Sequence, residues 1–316
     1  LPRIDCLAMS TRILVIRLGA LGDFVLSSGA YRAIREFHGD AHIVLLTTAP
    51  YENLARAGGW FDEVWLDDKP SWWQFGPVRE LRQRLNEGAF DRVYDLQTSD
   101  RSCAYHRLFR RPRPEWSGIA RGCSHPQANT GRDAMHTVER QADQLKMAGL
   151  EHIPGPDLSM VEADVTAFNL PASYVLVMPG SAPQRPEKRW PAERYGELSH
   201  QLKGMGLTSV LIGGPAEKEA ALEIAKSRSD VIDLMGRTSF EQIAVLAQGA
   251  TLAIGNDTGP MHLAATAGCP SVVLFSHASD PDITAPRGRS VTVLQRYDLG
   301  DLSVDEVGYA ARKALP

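Results

Sequence analysis

Thr251-Leu252-Ala253-Ile254-Gly255-Asn256-Asp257-Thr258-Gly259-Pro260-Met261-His262 joins a short apolar run to a helical pattern through a turn of polar and glycine residues. Thr251–Ile254 has the length and side chains of a buried strand. Asp257 and Thr258 are helix-capping types, Pro260 suits a first turn where its missing N–H costs nothing, and Met261–Ala267 are helix formers. A helix starting there aims free backbone N–H groups and a positive dipole end at whatever lies above the strand, and phosphate is the natural occupant. The competing reading is an ordinary capped strand-turn-helix that holds no ligand.

The same alternation runs through the chain. Apolar β-type runs occur at Ile13–Leu18, Ile43–Thr47, Val64–Leu66 and Val93–Leu96, with helical stretches at Ser27–Phe37 and Val78–Glu87. They recur at Tyr174–Met178, Ser209–Ile212, Val231–Leu234, Thr251–Ile254 and Ser271–Phe275, separated by helical Glu193–Lys203, Ala216–Lys226, Phe240–Gln248 and Met261–Ala267. Repeated βα units predict parallel sheets rather than an all-β fold or a bundle. Gly149–Pro171, with Pro154-Gly155-Pro156, carries the punctuation of an interdomain connection. The chain therefore reads as α/β, with two Rossmann-like doubly wound domains over residues 11–155 and 170–316 and a short extension at residues 1–10. Open α/β sheets bind ligands beyond the carboxyl ends of their strands, so the domains are expected to share a cleft lined by post-strand motifs. Gly19–Asp23, Pro179-Gly180-Ser181, Gly213-Gly214-Pro215 and Gly255–Gly259 all follow strands.

Composition narrows the class. At 316 residues, 43% hydrophobic and 23% charged, the chain is long enough for two domains and far from the disordered regime. Its net charge of −4 argues against a protein devoted to nucleic acid, which needs a surplus of Lys and Arg. Cys6, Cys103, Cys123 and Cys269 form no C-x-x-C pair, so neither a zinc site nor a disulfide framework is indicated and a reducing cytoplasm is the expected home. No apolar run approaches the roughly 18 residues of a spanning helix, and no signal-peptide layout is present.

Gly19–Asp23 matches only two of the three glycines of the dinucleotide fingerprint, and nothing fits a P-loop. What remains is a glycine-rich turn carrying Asp23, either a helix N-terminal charge or a general base. Arg185-Pro186-Glu187-Lys188-Arg189-Trp190-Pro191 is a cationic loop after a strand, from which Lys188 could reach a diphosphate; Arg185 and Arg189 are weaker candidates. Asp280-Pro281-Asp282 has the D-x-D spacing of metal-dependent glycosyltransferases, but its prolines and glycine mark a surface loop, and no metal is expected. His262 reads either as catalytic or, one turn past a cap, as a structural hydrogen bonder to the neighbouring loop. His106, His125 and His136 show no ligand spacing. Arg101, Arg107, Arg110, Arg111 and Arg113, interleaved with Tyr105, Phe109 and Trp116, form the most basic run, suited to solvent, an acidic acceptor or an anionic membrane.

Arg17-Leu18-Gly19-Ala20-Leu21-Gly22-Asp23, taken with Gly255 through Leu263 and with Lys188-Arg189-Trp190-Pro191 between them, resembles glycosyltransferase family 9, the bacterial heptosyltransferases, across nearly the whole chain. The Asp-Thr-Gly-x-x-His block is its specific part. The resemblance implies a GT-B fold, with the acceptor in the N-terminal domain, the nucleotide sugar in the C-terminal one, and a final helix able to pack back on the first domain. It also implies an inverting, metal-independent transfer of heptose from ADP-heptose to inner-core lipopolysaccharide or a related glycan, with no cofactor.

Carried over by residue, Asp23 matches the general base and Lys188 the lysine on the donor diphosphate. Asp257, Thr258 and Gly259 match the donor turn, with His262 beside them. Ser181 stands near a phosphate contact and Glu217 near a nucleoside contact, with Glu219 as its competitor. Gly22, Arg101 and Arg107 are the acceptor-side candidates, the two arginines taken from the basic run alone, since Gln97–Asp133 matches no family motif. The acid and the cation-lined phosphate site are expected on opposite walls of the cleft. The implied partners are a nucleotide sugar and a lipid-linked glycan, with peripheral contact at the cytoplasmic face of the inner membrane and no nucleic acid. A nucleotide-sugar-binding module without transfer and a non-hydrolysing nucleotide-sugar epimerase are the other readings on this fold.

Overall fold

The structure, a computed structural model, describes residues 11–182, 184–227 and 231–315; the extension read at residues 1–10 lies outside them. Among the described residues twelve strands form two six-stranded sheets in which every pairing is parallel. The first sheet holds β1 (Arg12–Ile16), β2 (His42–Thr47), β3 (Glu63–Leu66), β4 (Arg92–Asp95), β5 (Glu115–Gly118) and β6 (His125–Pro126), in the order β3-β2-β1-β4-β5-β6. The second holds β7 (Tyr174–Met178), β8 (Thr208–Leu211), β9 (Ile232–Asp233), β10 (Leu252–Asn256), β11 (Ser271–Phe275) and β12 (Val291–Gln295), in the order β12-β11-β10-β7-β8-β9. Each sheet steps two strands outward from its first strand and then returns to the other side of it, as in a Rossmann sheet. The order reverses between β1 and β4 and again between β7 and β10, and these are the switch points where such sheets bind ligands. Two Rossmann-like sheets are the architecture expected of a GT-B chain.

The central strands are apolar because helices cover both faces of a parallel sheet. β7 and β11 are buried along their whole length, whereas the two-residue edge strands β6 and β9 carry Pro126 and Asp233. In the first unit, Leu81 and Leu85 of the helix Phe75–Glu87 pack with Val44, Leu46, Trp65 and Trp116. In the second, the helix Ala192–Gly204 contributes Tyr195, Leu198 and Leu202 to the core.

By contacts the chain divides into two compact units, and the division is interleaved. One takes the chain up to Gly19, Ala30–Thr130 and Arg140–Pro154; the other takes Ala20–Gly29, Gly131–Glu139 and Gly155 onward. Two stretches from within 11–155 thus belong with the second sheet. The final helix, Val304–Ala314, also packs there, through Val307, Ala310 and Ala311, rather than returning to the first unit, because its apolar face completes the second core. No helix among the described residues is long and apolar enough to cross a membrane.

Candidate active site

Asp23 lies in the first turn of the helix Leu21–Leu26. The chain enters that helix through Gly19, whose φ of +125° favours glycine and where a Cβ would meet the Tyr51 hydroxyl at 2.9 Å. The helix rests on a second one, Gly259–Thr266, at two glycines. A Cβ on Gly259 would come within 2.8 Å of Leu21, and one on Gly22 within 2.8 Å of the His262 ring. Thr137, on the segment Gly131–Glu139, donates from Oγ1 to Asp23 Oδ1 at 3.3 Å. His136 ties that segment down through a bond between Nε2 and the Ala285 carbonyl, at 2.8 Å.

The helix Gly259–Thr266 starts after an extended Thr258, and neither Thr258 nor Asp257 caps it by side chain, contrary to the sequence reading. The Asp257 carboxylate is held elsewhere: its Oδ2 accepts from Lys188 Nζ and from Ser279 Oγ, both at 2.6 Å. The N–H groups of Thr258 and Gly259 consequently have no partner among the described residues, while the Met261 N–H turns back to the Thr258 carbonyl at 3.0 Å.

Lys188 is placed by a fully buried asparagine at the end of β10. Asn256 Oδ1 accepts from the Trp190 N–H (3.0 Å) and the Tyr195 hydroxyl (2.9 Å), and its Nδ2 donates to the Pro179 (2.6 Å) and Gly180 (3.2 Å) carbonyls. One side chain therefore ties the turn after β7 and the loop around Lys188 to the neighbouring strand across the switch point. Arg189 is directed away from ligand duty, donating from Nε to Ser181 Oγ at 3.0 Å, and Ser181 in turn donates to the Arg185 carbonyl at 2.9 Å. Glu217 accepts from the Gly214 N–H at 2.7 Å and lies against Gly180, at the ends of β7 and β8; Glu219 is exposed on the following helix.

Asp23, Gly22, Thr137, Arg185, Lys188, Asp257, Thr258, Gly259, His262 and Thr284 line one pocket of about 290 Å³. All of them belong to the second unit. The expectation of an acid on one wall and cations on another is corrected accordingly: the glycine contacts of the helix Leu21–Leu26 seat Asp23 beside the anion-type helix start. Arg101 and Arg107 belong to the first unit.

His262 is 6% exposed, its Nε2 is 4.0 Å from Asp257 Oδ1, and its Nδ1 makes no hydrogen bond, so the structural bond expected of it is not made. Burial lowers its pKa against the pull of the Asp257 and Asp23 charges, which favours the neutral ring. Asp280 of the D-x-D caps the short helix Pro281–Thr284 by accepting from the Asp282 N–H at 2.9 Å. Among the described residues no group of three His, Cys, Asp or Glu is placed to hold a metal ion.

The model of Glycosyltransferase family 9 (heptosyltransferase) matches residues 78–304. The chain belongs to that family.

Lipopolysaccharide heptosyltransferase 2 of Salmonella typhimurium is 28% identical to it over 307 residues, which covers 90% of this chain and 88% of the relative. The glycosyl transferase family 9 protein of Veillonella parvula superposes with a TM-score of 0.84 at 22% identity, over 96% of this chain and 97% of that one. Escherichia coli ADP-heptose LPS heptosyltransferase II does so with a TM-score of 0.79 at 24% identity, over 96% and 98%. The two structures share the fold. The family 9 match takes in Lys188, Glu217, Asp257 and His262 and begins after Asp23. The pocket brings a carboxylate, Asp23, together with the cations of Lys188 and Arg185. Thr137, Ser279 and Thr284 escaped the reading of the sequence because only tertiary folding brings them in. Asn256 carried a signal: a polar residue ending a buried strand must be bonded.

Proposed function

We propose that this family 9 glycosyltransferase moves heptose from ADP-heptose to an inner-core lipopolysaccharide, or related lipid-linked glycan, with inversion and without a metal ion. The observation that carries the reading is the convergence in one pocket of the Asp23 carboxylate, the Lys188 ammonium and the unpartnered N–H groups opening the helix Gly259–Thr266. Asp23 takes the proton of the acceptor hydroxyl as its oxygen bonds to the anomeric carbon, while the bond from that carbon to the diphosphate breaks on the opposite face. ADP leaves toward Lys188, Arg185 and the Thr258 and Gly259 N–H groups, which stabilise the growing negative charge. Asp257 repels phosphate, so its part is to hold Lys188 and to accept a hydroxyl of the donor sugar. Ser181 shapes the loop behind the phosphates and Glu217 meets the nucleoside. Gly22, Arg101 and Arg107 serve the acceptor. A lipid-linked acceptor keeps the protein peripheral on the cytoplasmic face of the inner membrane.

ADP release from ADP-heptose in the presence of delipidated core acceptor tests this reading. Asp23→Asn is expected to cut turnover on the order of 10²–10⁴-fold while ADP still raises the melting temperature. Excess EDTA is expected to leave turnover unchanged. Near wild-type turnover in Asp23→Asn removes the base assignment. Donor binding without acceptor-dependent release turns the protein into a binding module, and conversion of the donor without acceptor turns it into an epimerase.

A further inference from the structure

The first unit exposes side chains that parallel α/β proteins ordinarily bury. Trp73 is 77%, Phe75 83% and Trp72 41% exposed. They occupy the turn into the helix Phe75–Glu87, whose Leu81 and Leu85 already satisfy the core. Single exposed apolar residues are ordinary, but three large aromatics within four positions mark an interaction surface.

The charge around them opposes that of the chain. Residues 68–84 and 100–113 hold nine Lys and Arg against three carboxylates, Asp68, Glu80 and Asp100, whereas the whole chain has 34 against 38. The two segments are neighbours in space. The Arg101 guanidinium lies 5.2 Å over the Trp72 ring and donates to the Pro70 carbonyl at 3.2 Å. Arg82 donates to the Leu108 carbonyl at 3.3 Å, and the Arg110 N–H donates to Asn86 Oδ1 at 2.7 Å. Arg79, Arg82, Arg110 and Arg111 are exposed.

We propose that this face docks on an anionic lipid bilayer, with Trp73 and Phe75 entering the headgroup layer and the flanking arginines contacting lipid phosphates. Amphipathic aromatics settle at the water–lipid interface, and clustered cations are drawn to anionic headgroups, so the two terms act on one surface. A second copy of the chain is a poorer occupant, because two cationic faces repel. The inference rests on the peripheral membrane location proposed above and names the surface that makes the contact; bilayer binding is measured without donor or acceptor, so it and sugar transfer can each fail alone.

Sedimentation with phosphatidylethanolamine–phosphatidylglycerol vesicles, compared with phosphatidylcholine vesicles, tests it. The wild-type protein is expected to pellet with the anionic vesicles at low salt, to be released by high salt and to stay in solution with the neutral ones. Trp73→Ser/Phe75→Ser is expected to weaken binding about tenfold or more, and Arg110→Glu/Arg111→Glu by at least as much. Phe37→Ser, which removes a half-exposed aromatic outside the two segments, is expected to change nothing. A wild-type protein that stays in solution with anionic vesicles overturns the proposal, as does a Trp73→Ser/Phe75→Ser variant that binds like wild type with an unchanged melting temperature. A wild-type dimer dissolved by that variant, without vesicle binding, gives the face to a second copy and also overturns it.

Discussion

Lys188 Nζ lies 2.6 Å from Asp257 Oδ2 in a pair whose side chains are only 18% and 8% exposed. Removing the lysine leaves the carboxylate with a single neutral donor, Ser279, at a cost of about 3 kcal/mol. Lys188→Met is expected to lose that stability in urea titration and, on the proposed role of Lys188 at the leaving diphosphate, to lose turnover on the order of 10²-fold or more. Lys188→Met/Asp257→Asn should regain most of the stability and none of the turnover. A double variant no more stable than Lys188→Met would show that the unpaired charge is not the cause.

Asn256 makes four hydrogen bonds, one to the Trp190 N–H just after Lys188, one to the Tyr195 hydroxyl and two to the carbonyls of Pro179 and Gly180 after β7. Asn256→Ala strands two donors and two carbonyls in the interior, a loss of roughly 2–4 kcal/mol. With the loop untied, KM for the donor is expected to rise more than kcat falls. Steady-state kinetics over donor concentration read this split, and an Asn256→Ala enzyme of wild-type KM would remove the positioning role.

Gly22 is the point where the helix bearing Asp23 meets His262. A methyl group there would need to sit 2.8 Å from the ring, so Gly22→Ala is expected to push that helix away. Displacement of about 1 Å can cost on the order of 10²-fold in rate. Gly22→Ala/His262→Ala, which clears the space, should recover thermal stability relative to Gly22→Ala alone. Equal melting temperatures for the two variants would argue that the contact relaxes without cost.

Asp95 ends β4 fully buried, and burial raises its pKa from 3.8 to about 6 against the Thr98 N–H, which donates to Oδ1 at 2.9 Å. Between about pH 4 and pH 6 the folded chain holds a proton that the unfolded chain has released, so stability falls as pH rises through that window. Above it this one group leaves the fold roughly 3 kcal/mol less stable than at low pH. Asp95→Asn fixes the neutral form, so its stability relative to wild type should be higher at pH 8 than at about pH 4 by that amount. Chemical denaturation at the two pH values checks it, and a constant difference would count against a shifted Asp95.

Much of this fold is written in local pattern. Tyr174–Met178 and Ser271–Phe275 are read from sequence to the residue, because buried parallel strands are continuous apolar runs. β5, with Glu115 and Ser117, and the two-residue β6 offer no such run, and the half-buried edge strand β12 lies outside the runs that read as buried strands. The final helix, Val304–Ala314, is expected from the family resemblance alone and not from its own residues, although Ser303 and Glu306 form the capping box that announces it. At the site, the glycine-rich turns and their charged residues were legible as post-strand motifs. The partners of those residues were not: Thr137 stands 114 positions from Asp23, and nothing local links Ser279 to Asp257. The capping role expected of Asp257 fails because the half-buried Lys188 and Ser279 take its carboxylate.

The interleaved division of the chain has a bearing on how relatives can recombine. The backbone passes from one unit to the other after Gly19, Gly29, Thr130, Glu139 and Pro154. A chimera spliced only at Pro154 would carry the helix Gly259–Thr266 from one parent, and Leu21 and Gly22, which pack on it, with Thr137 from the other. Keeping the pocket of one parent intact therefore means transplanting three segments together, Ala20–Gly29, Gly131–Glu139 and the chain from Gly155 onward.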